Sequence, residues 1–305
     1  MKMKFDEKYT KQVLLLLGII PTIAKEDCFA LKGGSAINLF YQELPRLSVD
    51  LDLVYLPIEE RAISYNNINT ALTRIKNNLE KLGLLVSLQG TNEKKIICLN
   101  NEASVKIEPN YIIRGTVFEP KIKEVSTTAK DKFGYAKMKV LSMEEIYAGK
   151  ICAALDRQHP RDLFDINKFY NQYGELSNAI ITCMVVYLLQ HNRPLYELLD
   201  CNIKDNSEIF EKEFIGMTEE SISYQELQDT LVRLKTDIKQ KIIPYKNFVF
   251  DFYCLKADFS TFPYSNIEKL PAIKWKIYNL EQLKERNKTK YEMGNRILKQ
   301  LFDKF

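Results

Sequence analysis

Two aspartates alternate with apolar residues in the segment Ser48 to Leu53, and this alternation constrains the fold more than any other feature of the sequence. Successive side chains of a strand point to opposite faces, so Asp50 and Asp52 share one face and the apolar residues occupy the other. Two neighbouring carboxylates repel each other, but a divalent cation between them makes the arrangement favourable. Magnesium binds a few carboxylate oxygens and completes its shell with nucleotide phosphates. Asp50 and Asp52 are therefore predicted to be ligands of Mg²⁺ or Mn²⁺.

A glycine-rich turn precedes this strand. Gly33-Gly34-Ser35 separates a short apolar strand, Cys28 to Leu31, from the start of an apolar helix, Ala36 to Tyr41. A backbone without side chains lets phosphate oxygens approach the amides at a helix N-terminus, where the helix dipole favours anions. Ser35 is expected to cap that helix or to donate its hydroxyl to a phosphate. Alone, such a tripeptide is usually only a turn, but the aspartate strand that follows provides the context of a phosphate-binding site.

Three runs of residues carry a resemblance to a known family. They are Lys32-Gly33-Gly34-Ser35-Ala36, Arg46-Leu47-Ser48-Val49-Asp50-Leu51-Asp52, and Lys150…Arg157…Pro160-Arg161-Asp162-Leu163-Phe164-Asp165. Together they resemble the AbiEii/AbiGii nucleotidyltransferase toxins. That family belongs to the DNA-polymerase-β-like nucleotidyltransferase superfamily and is encoded by bacterial abortive-infection and toxin–antitoxin operons. The resemblance extends from the N-terminal region to about Tyr170 and implies a metal-dependent nucleotidyltransferase.

A third acid follows on a second alternating strand, Ser104 to Glu108. Lys106 and Glu108 share one face of that strand, and the apolar residues lie on the other. By resemblance to the family, Glu108 would be a general base for the attacking hydroxyl or a further metal ligand. The alternative is a solvated Lys/Glu pair on an edge strand, since exposed strand faces commonly carry charges.

Two helices hold the remaining candidate residues. Helical spacing of apolar residues predicts a helix from Met143 to Asp156, with Lys150 and Arg157 two turns apart on one face. Pro160 suits the first turn of a second helix that ends near Tyr170. His159, just before it, is expected to have a role at the helix junction rather than in binding substrate.

The resemblance implies a role for each of these charged residues. Lys150 would contact nucleotide phosphates, Arg157 and Arg161 would hold phosphate or hold the site together, and Asp162 and Asp165 would position these cations. An ordinary i,i+4 ion pair is the alternative for Arg161 and Asp165. The implied nucleotide-binding residues are Lys32, Gly33, Gly34, Ser35, Arg46, Ser48, Lys150, Arg157 and Arg161. The implied catalytic residues are Asp50, Asp52, Glu108, Lys150, Asp162 and Asp165, and the implied metal ligands are Asp50, Asp52 and Glu108.

The composition is that of a globular protein with a mild positive charge. The chain has 305 residues, of which 46% are hydrophobic and 28% charged, with a net charge of +4. Basic patches at Lys94-Lys95, Lys121 to Lys132 and Lys284 to Lys304 are candidates for nucleic-acid binding, although each also fits a solvated face. Six scattered cysteines without a Cys-x-x-Cys pair predict reduced thiols in a cytoplasmic protein. No run approaches the roughly 18 apolar residues that span a bilayer, so no membrane association is expected.

The pattern of elements predicts an α+β fold in two domains. A nucleotidyltransferase core with a mixed sheet flanked by helices is expected over residues 1–172, because strand and helix patterns are interspersed there. Helical periodicity alone, through Leu176 to Leu189, Tyr224 to Ile243 and Leu280 to Phe305, predicts a mostly α-helical bundle domain over residues 173–305.

The predicted activity is transfer of a nucleoside monophosphate from a nucleoside triphosphate to an acceptor, with release of pyrophosphate. By resemblance to the family, the acceptor would be RNA, including the 3′ end of a transfer RNA, and a separate antitoxin would restrain the toxin. The alternatives are a nucleotide-binding regulatory protein without catalysis and a transferase that acts on a protein hydroxyl or a small molecule.

Overall fold

A seven-stranded β-sheet and a set of helices make up the computed structural model, which describes residues 4–305. The strands are β1 (Phe29–Lys32), β2 (Asp50–Tyr55), β3 (Leu85–Gln89), β4 (Lys95–Leu99), β5 (Ser104–Asn110), β6 (Lys121–Glu124) and β7 (Lys137–Val140). The helices are α1 (Glu7–Ile23), α2 (Gly33–Ala36), α3 (Arg61–Glu80), α4 (Thr127–Phe133), α5 (Met143–Arg157), α6 (Pro160–Tyr173), α7 (Asn178–Leu189), α8 (Leu195–Leu199), α9 (Ser207–Ile209), α10 (Tyr224–Lys241), α11 (Lys246–Tyr253), α12 (Pro271–Arg286) and α13 (Lys288–Phe302).

The sheet is mixed, with the strand order β3-β4-β5-β2-β1-β7-β6. Strand β2 pairs antiparallel with β1 and parallel with β5, and β1 pairs parallel with β7. The other neighbours are antiparallel. This architecture confirms the predicted α+β fold with a mixed sheet flanked by helices.

Strands β2 and β5 form the middle of the sheet because each has one wholly apolar face. Leu51, Leu53 and Ile107 are 0% exposed. Helix α1 packs against β5 and β7, and α3 packs against β3 and β4. Burial of the apolar face fixes the register, since a shift by one residue would turn every charged side chain of these strands into the core. The charged residues of β2 and β5 are therefore held on the opposite face.

The chain forms two compact units, which are described separately. The first comprises the residues up to Ile146 together with Glu211–Ile222, and the second comprises Tyr147–Phe210 and Ser223–Phe305. The first contains the whole sheet, and the second is helical. The two domains expected from the sequence, residues 1–172 and 173–305, stay predictions.

Residues 211–222 belong to the sheet-containing unit because backbone and side-chain hydrogen bonds attach them to it. The backbone N–H of Leu47 donates to the carbonyl oxygen of Met217 at 2.7 Å. The hydroxyl of Thr218 donates to the carbonyl oxygen of Pro45 at 3.0 Å. These bonds hold the segment that leads into β2, which carries the aspartate pair.

The helical unit is organised around α7. Every residue from Ile180 to Leu189 is buried, so this helix is enclosed on all sides. Helix α10 packs against α6, α7 and α8, and the hairpin of α12 and α13 packs against α11. Among residues 4–305, none of the helices combines the length and the apolar composition that crossing a membrane requires.

One local prediction was wrong, and one stretch contains elements that the sequence did not indicate. The helix expected over Leu280 to Phe305 is two helices, because the side chain of Asn287 accepts the N–H of Lys290 at 2.9 Å and caps α13. The basic stretch Lys121 to Lys132 contains β6 and most of α4, neither of which was predicted.

The cysteines have the states that the sequence predicted. All six are free, and Cys98, Cys152, Cys183 and Cys201 are buried. Burial raises the pKa of the Cys98 thiol to about 11, so this group is uncharged at neutral pH.

We expect Ile107→Ala to lower the free energy of unfolding by about 2–5 kcal/mol, because it removes a fully buried side chain from the middle strand of the sheet. The matched control is Ile122→Ala on β6, where the side chain is 69% exposed and the change is expected to stay within about 0.5 kcal/mol. Equilibrium unfolding in urea measures both. Equal losses in the two variants would contradict the assigned faces of the sheet.

Candidate active site

The side chains of Asp50 and Asp52 lie on one face of β2, as the alternation predicted. Both residues are partly exposed, whereas Leu51 between them is buried. The carboxylates are therefore accessible to a ligand, and a bound cation would relieve the repulsion between them.

The glycine turn packs directly against the second of these carboxylates. Lys32 is opposite Asp52 in the β1–β2 ladder, and Gly33 follows with φ of +73°. A Cβ atom on Gly33 would collide with Oδ2 of Asp52 and lie 3.2 Å from its Cγ. Only glycine fits both the positive φ and this close approach. The turn thus brings backbone amides next to the carboxylate that is predicted to bind metal.

The second glycine is enclosed by side chains of the segment before β2. A Cβ atom on Gly34 would lie 2.7 Å from Nη2 of Arg46 and 2.9 Å from Oγ of Ser48. Arg46 is only 2% exposed, and its Nη1 donates to the carbonyl oxygen of Leu47 at 2.8 Å. The guanidinium therefore supports the turn from inside the protein.

Ser35 connects the turn to the aspartate strand. Its hydroxyl donates to the carbonyl oxygen of Asp50 and lies 3.1 Å from Oγ of Ser48. The residue before the helix is Lys32, so the expectation that Ser35 caps α2 was wrong. Ser35 is buried within the helix and fixes the start of β2 relative to the turn. Contact of Ser35 with a phosphate stays a prediction.

The neighbouring strand brings a lysine and a glutamate to the same face. In the parallel ladder of β2 with β5, Asp50 is opposite Lys106 and Asp52 is opposite Glu108. Nζ of Lys106 lies 2.7 Å from Oε2 of Glu108. Burial lowers the pKa of Lys106, but the hydrogen bond to Glu108 and the nearby aspartates outweigh it and hold the pKa above its ordinary value. The expected Lys/Glu pair is present, but β5 is an interior strand and not an edge strand.

The donor set fits a divalent ion that binds together with a nucleotide. Within residues 4–305, no group of three or more His, Cys, Asp or Glu side chains is arranged to hold a metal ion. Mg²⁺ needs only one or two carboxylates when substrate phosphates and water complete its shell. Asp50 and Asp52 meet that requirement. Because Glu108 is bound to Lys106, its role as a third ligand or as a base stays a prediction.

A cleft of about 610 Å³ opens at this face. Asp52, Glu108 and Lys32 line this cleft together with residues of the turn between β3 and β4. The other lining residues are Gln89, Gly90, Glu93, Lys94, Lys95, Pro109, Asn110, Tyr111 and Ile112. Of these other lining residues, the sequence indicated only Lys94-Lys95, as a basic patch. The rest was missed because polar turn residues carry no periodic signal.

A second group of candidate residues forms a buried ion network within the helical unit. Nζ of Lys150 lies 2.8 Å from Oδ1 of Asp162 and 3.0 Å from Oδ2 of Asp165. The three side chains are 6%, 1% and 0% exposed. Both carboxylates therefore hold the ammonium group in one position.

Arg157 extends this network to the surface. Its Nε and Nη2 donate to Asp162 at 2.6 and 3.1 Å, while 61% of its side chain remains exposed. Burial alone would raise the pKa of Asp162, but Lys150 and Arg157 outweigh burial and hold it well below its usual range. Asp162 thus stays ionised and positions one buried and one exposed cation.

His159 has a role in the helix junction, as expected. Its Nδ1 accepts the backbone N–H of Arg161 at 3.1 Å and caps α6. Nη2 of Arg161 lies 3.3 Å from Nε2 of the same imidazole. Asp165, the other member of the alternative i,i+4 pair, binds Lys150.

Comparison with known proteins decides the family. Residues 14–251 match the family described as nucleotidyl transferase AbiEii toxin, type IV TA system. The chain belongs to the AbiEii nucleotidyltransferase toxin family. It is thus a nucleotidyltransferase and a toxin of a type IV toxin–antitoxin system, and membership implies a nucleoside triphosphate substrate and a cognate antitoxin. Among curated proteins, none matches the sequence significantly.

A solved nucleotidyltransferase toxin has a similar fold. MenT4, a nucleotidyltransferase toxin from Mycobacterium tuberculosis, superposes with a TM-score of 0.59 at 12% identity, covering 95% of this chain and 93% of its own. A putative nucleotidyltransferase from H. pylori covers 79% of this chain and 98% of its own, at 18% identity and a TM-score of 0.46. MenT4 therefore supports the α+β architecture of this AbiEii toxin over nearly its full length.

We expect Gly33→Ala to lower the free energy of unfolding and the nucleotide affinity of this AbiEii toxin more than Gly83→Ala does. Both glycines have positive φ, +73° and +81°, so both substitutions share a backbone strain of about 1 kcal/mol. Only the alanine at position 33 collides with another residue, Asp52, because nothing lies within 4 Å of a Cβ at Gly83. Urea unfolding and binding of a fluorescent nucleotide measure the difference. Equal behaviour of the two variants would contradict the close packing of turn and carboxylate.

We expect Asp162→Asn to lower the free energy of unfolding by about 3–5 kcal/mol, because it breaks a buried ion network. The pKa of Asp162 is depressed in the folded state, so this stabilisation is present above about pH 5 and is lost as pH falls below about 4. Urea titrations of both proteins across that range test it. A difference in the free energy of unfolding between the two proteins that does not narrow at low pH would contradict this prediction. The control is Asp27→Asn, at an exposed ion pair.

Proposed function

We propose that this toxin transfers a nucleoside monophosphate to RNA, with Mg²⁺ or Mn²⁺ held by Asp50 and Asp52. The observation that carries the proposal is the contact between the glycine turn and the carboxylate of Asp52. This contact places amides suited to phosphate beside a carboxylate suited to a divalent ion, and that carboxylate lines the cleft. Such a site binds the metal complex of a nucleoside triphosphate better than it binds either component alone.

The proposed reaction is displacement at the α-phosphorus of the nucleotide. A hydroxyl oxygen of the acceptor forms the new bond to phosphorus, the bond to the bridging oxygen of the β-phosphate breaks, and pyrophosphate leaves. Glu108, on the same face of the sheet, is the proposed acceptor of the hydroxyl proton. A divalent ion at the aspartates would supply positive charge to the phosphate oxygens.

Each of the two clusters contains cations that suit contact with a phosphate. Lys32 lines the cleft together with Asp52. The glycine turn forms the N-terminal end of α2, where backbone amides favour an anion. Arg157 is the member of the ion network with an exposed guanidinium, which suits bidentate contact with a phosphate. Lys150 is buried between Asp162 and Asp165. Its proposed role is to stabilise the negative charge of a bound phosphate through this ion network.

The α12–α13 hairpin supports RNA as the acceptor. Residues 271–305 contain nine Lys and Arg against four Asp and Glu, whereas the excess over the whole chain is only four. Trp275 and Tyr278 stack on each other with ring centroids 5.5 Å apart, and they are 45% and 48% exposed. Cations beside exposed aromatic rings are the features with which proteins bind single-stranded nucleic acid. A transfer RNA 3′ end, which is single-stranded, is the proposed target within RNA.

We propose that the toxin acts in the cytoplasm, which is consistent with its reduced cysteines and with its nucleotide and RNA substrates. A cognate antitoxin, encoded separately, restrains it. The residues assigned to metal binding, nucleotide binding and catalysis from the sequence are proposed to have those roles within the two clusters described above.

We expect Asp50→Ala and Asp52→Ala each to lower nucleotide transfer by at least about 1,000-fold, because several kcal/mol of transition-state stabilisation are lost. The assay incubates each protein with Mg²⁺, each labelled nucleoside triphosphate in turn and total bacterial RNA, and resolves the products on a denaturing gel. Asp27→Ala, at an exposed residue outside the cleft, is the control and is expected to keep full activity.

The gel separates the proposal from its alternatives. Label in an RNA band that depends on both aspartates supports the proposed reaction. Label in protein or in a small molecule instead would contradict RNA as the acceptor, and nucleotide binding without any transfer would indicate a regulatory role. Full activity of either alanine variant would contradict the metal assignment.

A further inference from the structure

A second cleft adjoins the one at Asp52. Its volume is about 740 Å³, and it shares Gly90 and Glu93 with the first cleft. Its other lining residues are Arg61, Ala62, Tyr65, Asn69, Thr91 and Asn92. Tyr65 contacts Tyr111 of the first cleft edge to face, with ring centroids 4.9 Å apart. The two clefts therefore form one continuous depression beside the aspartates.

Arg114 lies close to Tyr65, a lining residue of this second cleft, with its guanidinium carbon 5.9 Å from the ring centroid. The residue is 5% exposed, and within residues 4–305 its Nε and Nη1 have no hydrogen-bond partner. A buried cation without acceptors costs free energy, so proteins normally pair it. The nearby carboxylate of Glu59 is engaged by the hydroxyl of Tyr55 at 2.9 Å and by Asn67 at 3.1 Å. Among residues 4–305, no acceptor pairs with Nε or Nη1 of Arg114, and Glu59 offsets its charge only in part.

A second arginine faces the same ring. The guanidinium carbons of Arg61 and Arg114 lie 5.1 and 5.9 Å from the ring centroid of Tyr65. Burial lowers the pKa of Arg114, and the like charge of Arg61 lowers it further. Two cations around one tyrosine repel each other unless an anion binds between or beside them.

The N-terminus of α3 adds to this positive potential. Arg61 and Ala62 are the first residues of this 20-residue helix, and among residues 4–305 no side chain caps it. The amides of an uncapped first turn favour an anion. The one carboxylate of the cleft, Glu93, accepts the hydroxyl of Tyr65 at 2.9 Å.

We propose that Arg61, Arg114 and the first turn of α3 form a phosphate-binding subsite beside the catalytic cleft. Its ligand is a phosphate group, either of a nucleotide's polyphosphate chain or of the backbone of an RNA strand that enters the cleft. The phosphate accepts hydrogen bonds from the guanidinium of Arg61, which lines the cleft, and its negative charge offsets the buried positive charge of Arg114. The subsite does not depend on the transfer reaction, so it is testable without catalysis.

The experiment measures binding in EDTA, where metal-dependent binding at the aspartates is absent. The probes are sodium pyrophosphate and a fluorescent 12-nucleotide oligouridylate, measured by calorimetry and by fluorescence anisotropy. We expect Arg61→Gln and Arg114→Met each to raise the Kd of at least one probe by tenfold or more. The matched control is Arg74→Gln, an arginine on the same helix that binds Glu26 at 2.7 Å and lies outside the cleft. The probe whose binding is lost identifies the source of the phosphate.

The stability of the variants separates a binding role from a structural one. If Arg114 is kept for an anion, Arg114→Met removes an unpaired buried charge and leaves the Tm of the ligand-free protein unchanged or higher. A structural role would lower that Tm. Unchanged binding of both probes in Arg61→Gln and Arg114→Met, or a loss of the same size in Arg74→Gln, would overturn the proposal. Because Arg61 is exposed, its variant stays informative even if Arg114→Met does not fold.

Discussion

The site depends on the close approach of a glycine backbone to a carboxylate. Strand β1 ends opposite Asp52, and the chain turns at Gly33 with a positive φ, so that any side chain there would occupy the position of the carboxylate. Ser35, on the helix that begins at this turn, donates its hydroxyl to the carbonyl oxygen of Asp50 and so fixes the start of β2. The glycine turn and the acidic pair are thus connected by direct contacts.

Charge is compensated differently in the two units. On the sheet, carboxylates and Lys106 are partly exposed, so water and a bound cation can relieve their repulsion. In the helical unit, Lys150 is buried between two aspartates and the ions compensate each other. The first arrangement suits exchange of a charged ligand, and the second suits the fixing of side chains. Arg114 belongs to neither type, since it is buried and two of its nitrogens have no acceptor among residues 4–305.

Much of this architecture is predictable from local patterns. The alternation in Ser48 to Leu53 gave the face of the aspartates because burial of leucines in a central strand leaves no other register. Helices α5 and α6 follow from apolar spacing and from Pro160. The break at Asn287 was missed because a side-chain cap does not interrupt apolar periodicity. Arg114 and the β3–β4 turn were missed because their significance lies in contacts between distant segments, which periodicity does not record.

The central claim is that Asp50 and Asp52 bind a divalent ion together with the nucleotide. The most direct test is a crystal structure of the protein with Mn²⁺ and a non-hydrolysable nucleoside triphosphate, in which anomalous scattering locates the metal. If the two aspartates hold the ion, an anomalous peak appears at their carboxylate oxygens and the nucleotide phosphates lie at the glycine turn. A nucleotide at the turn with no metal at the aspartates, or a metal bound elsewhere, would contradict this assignment.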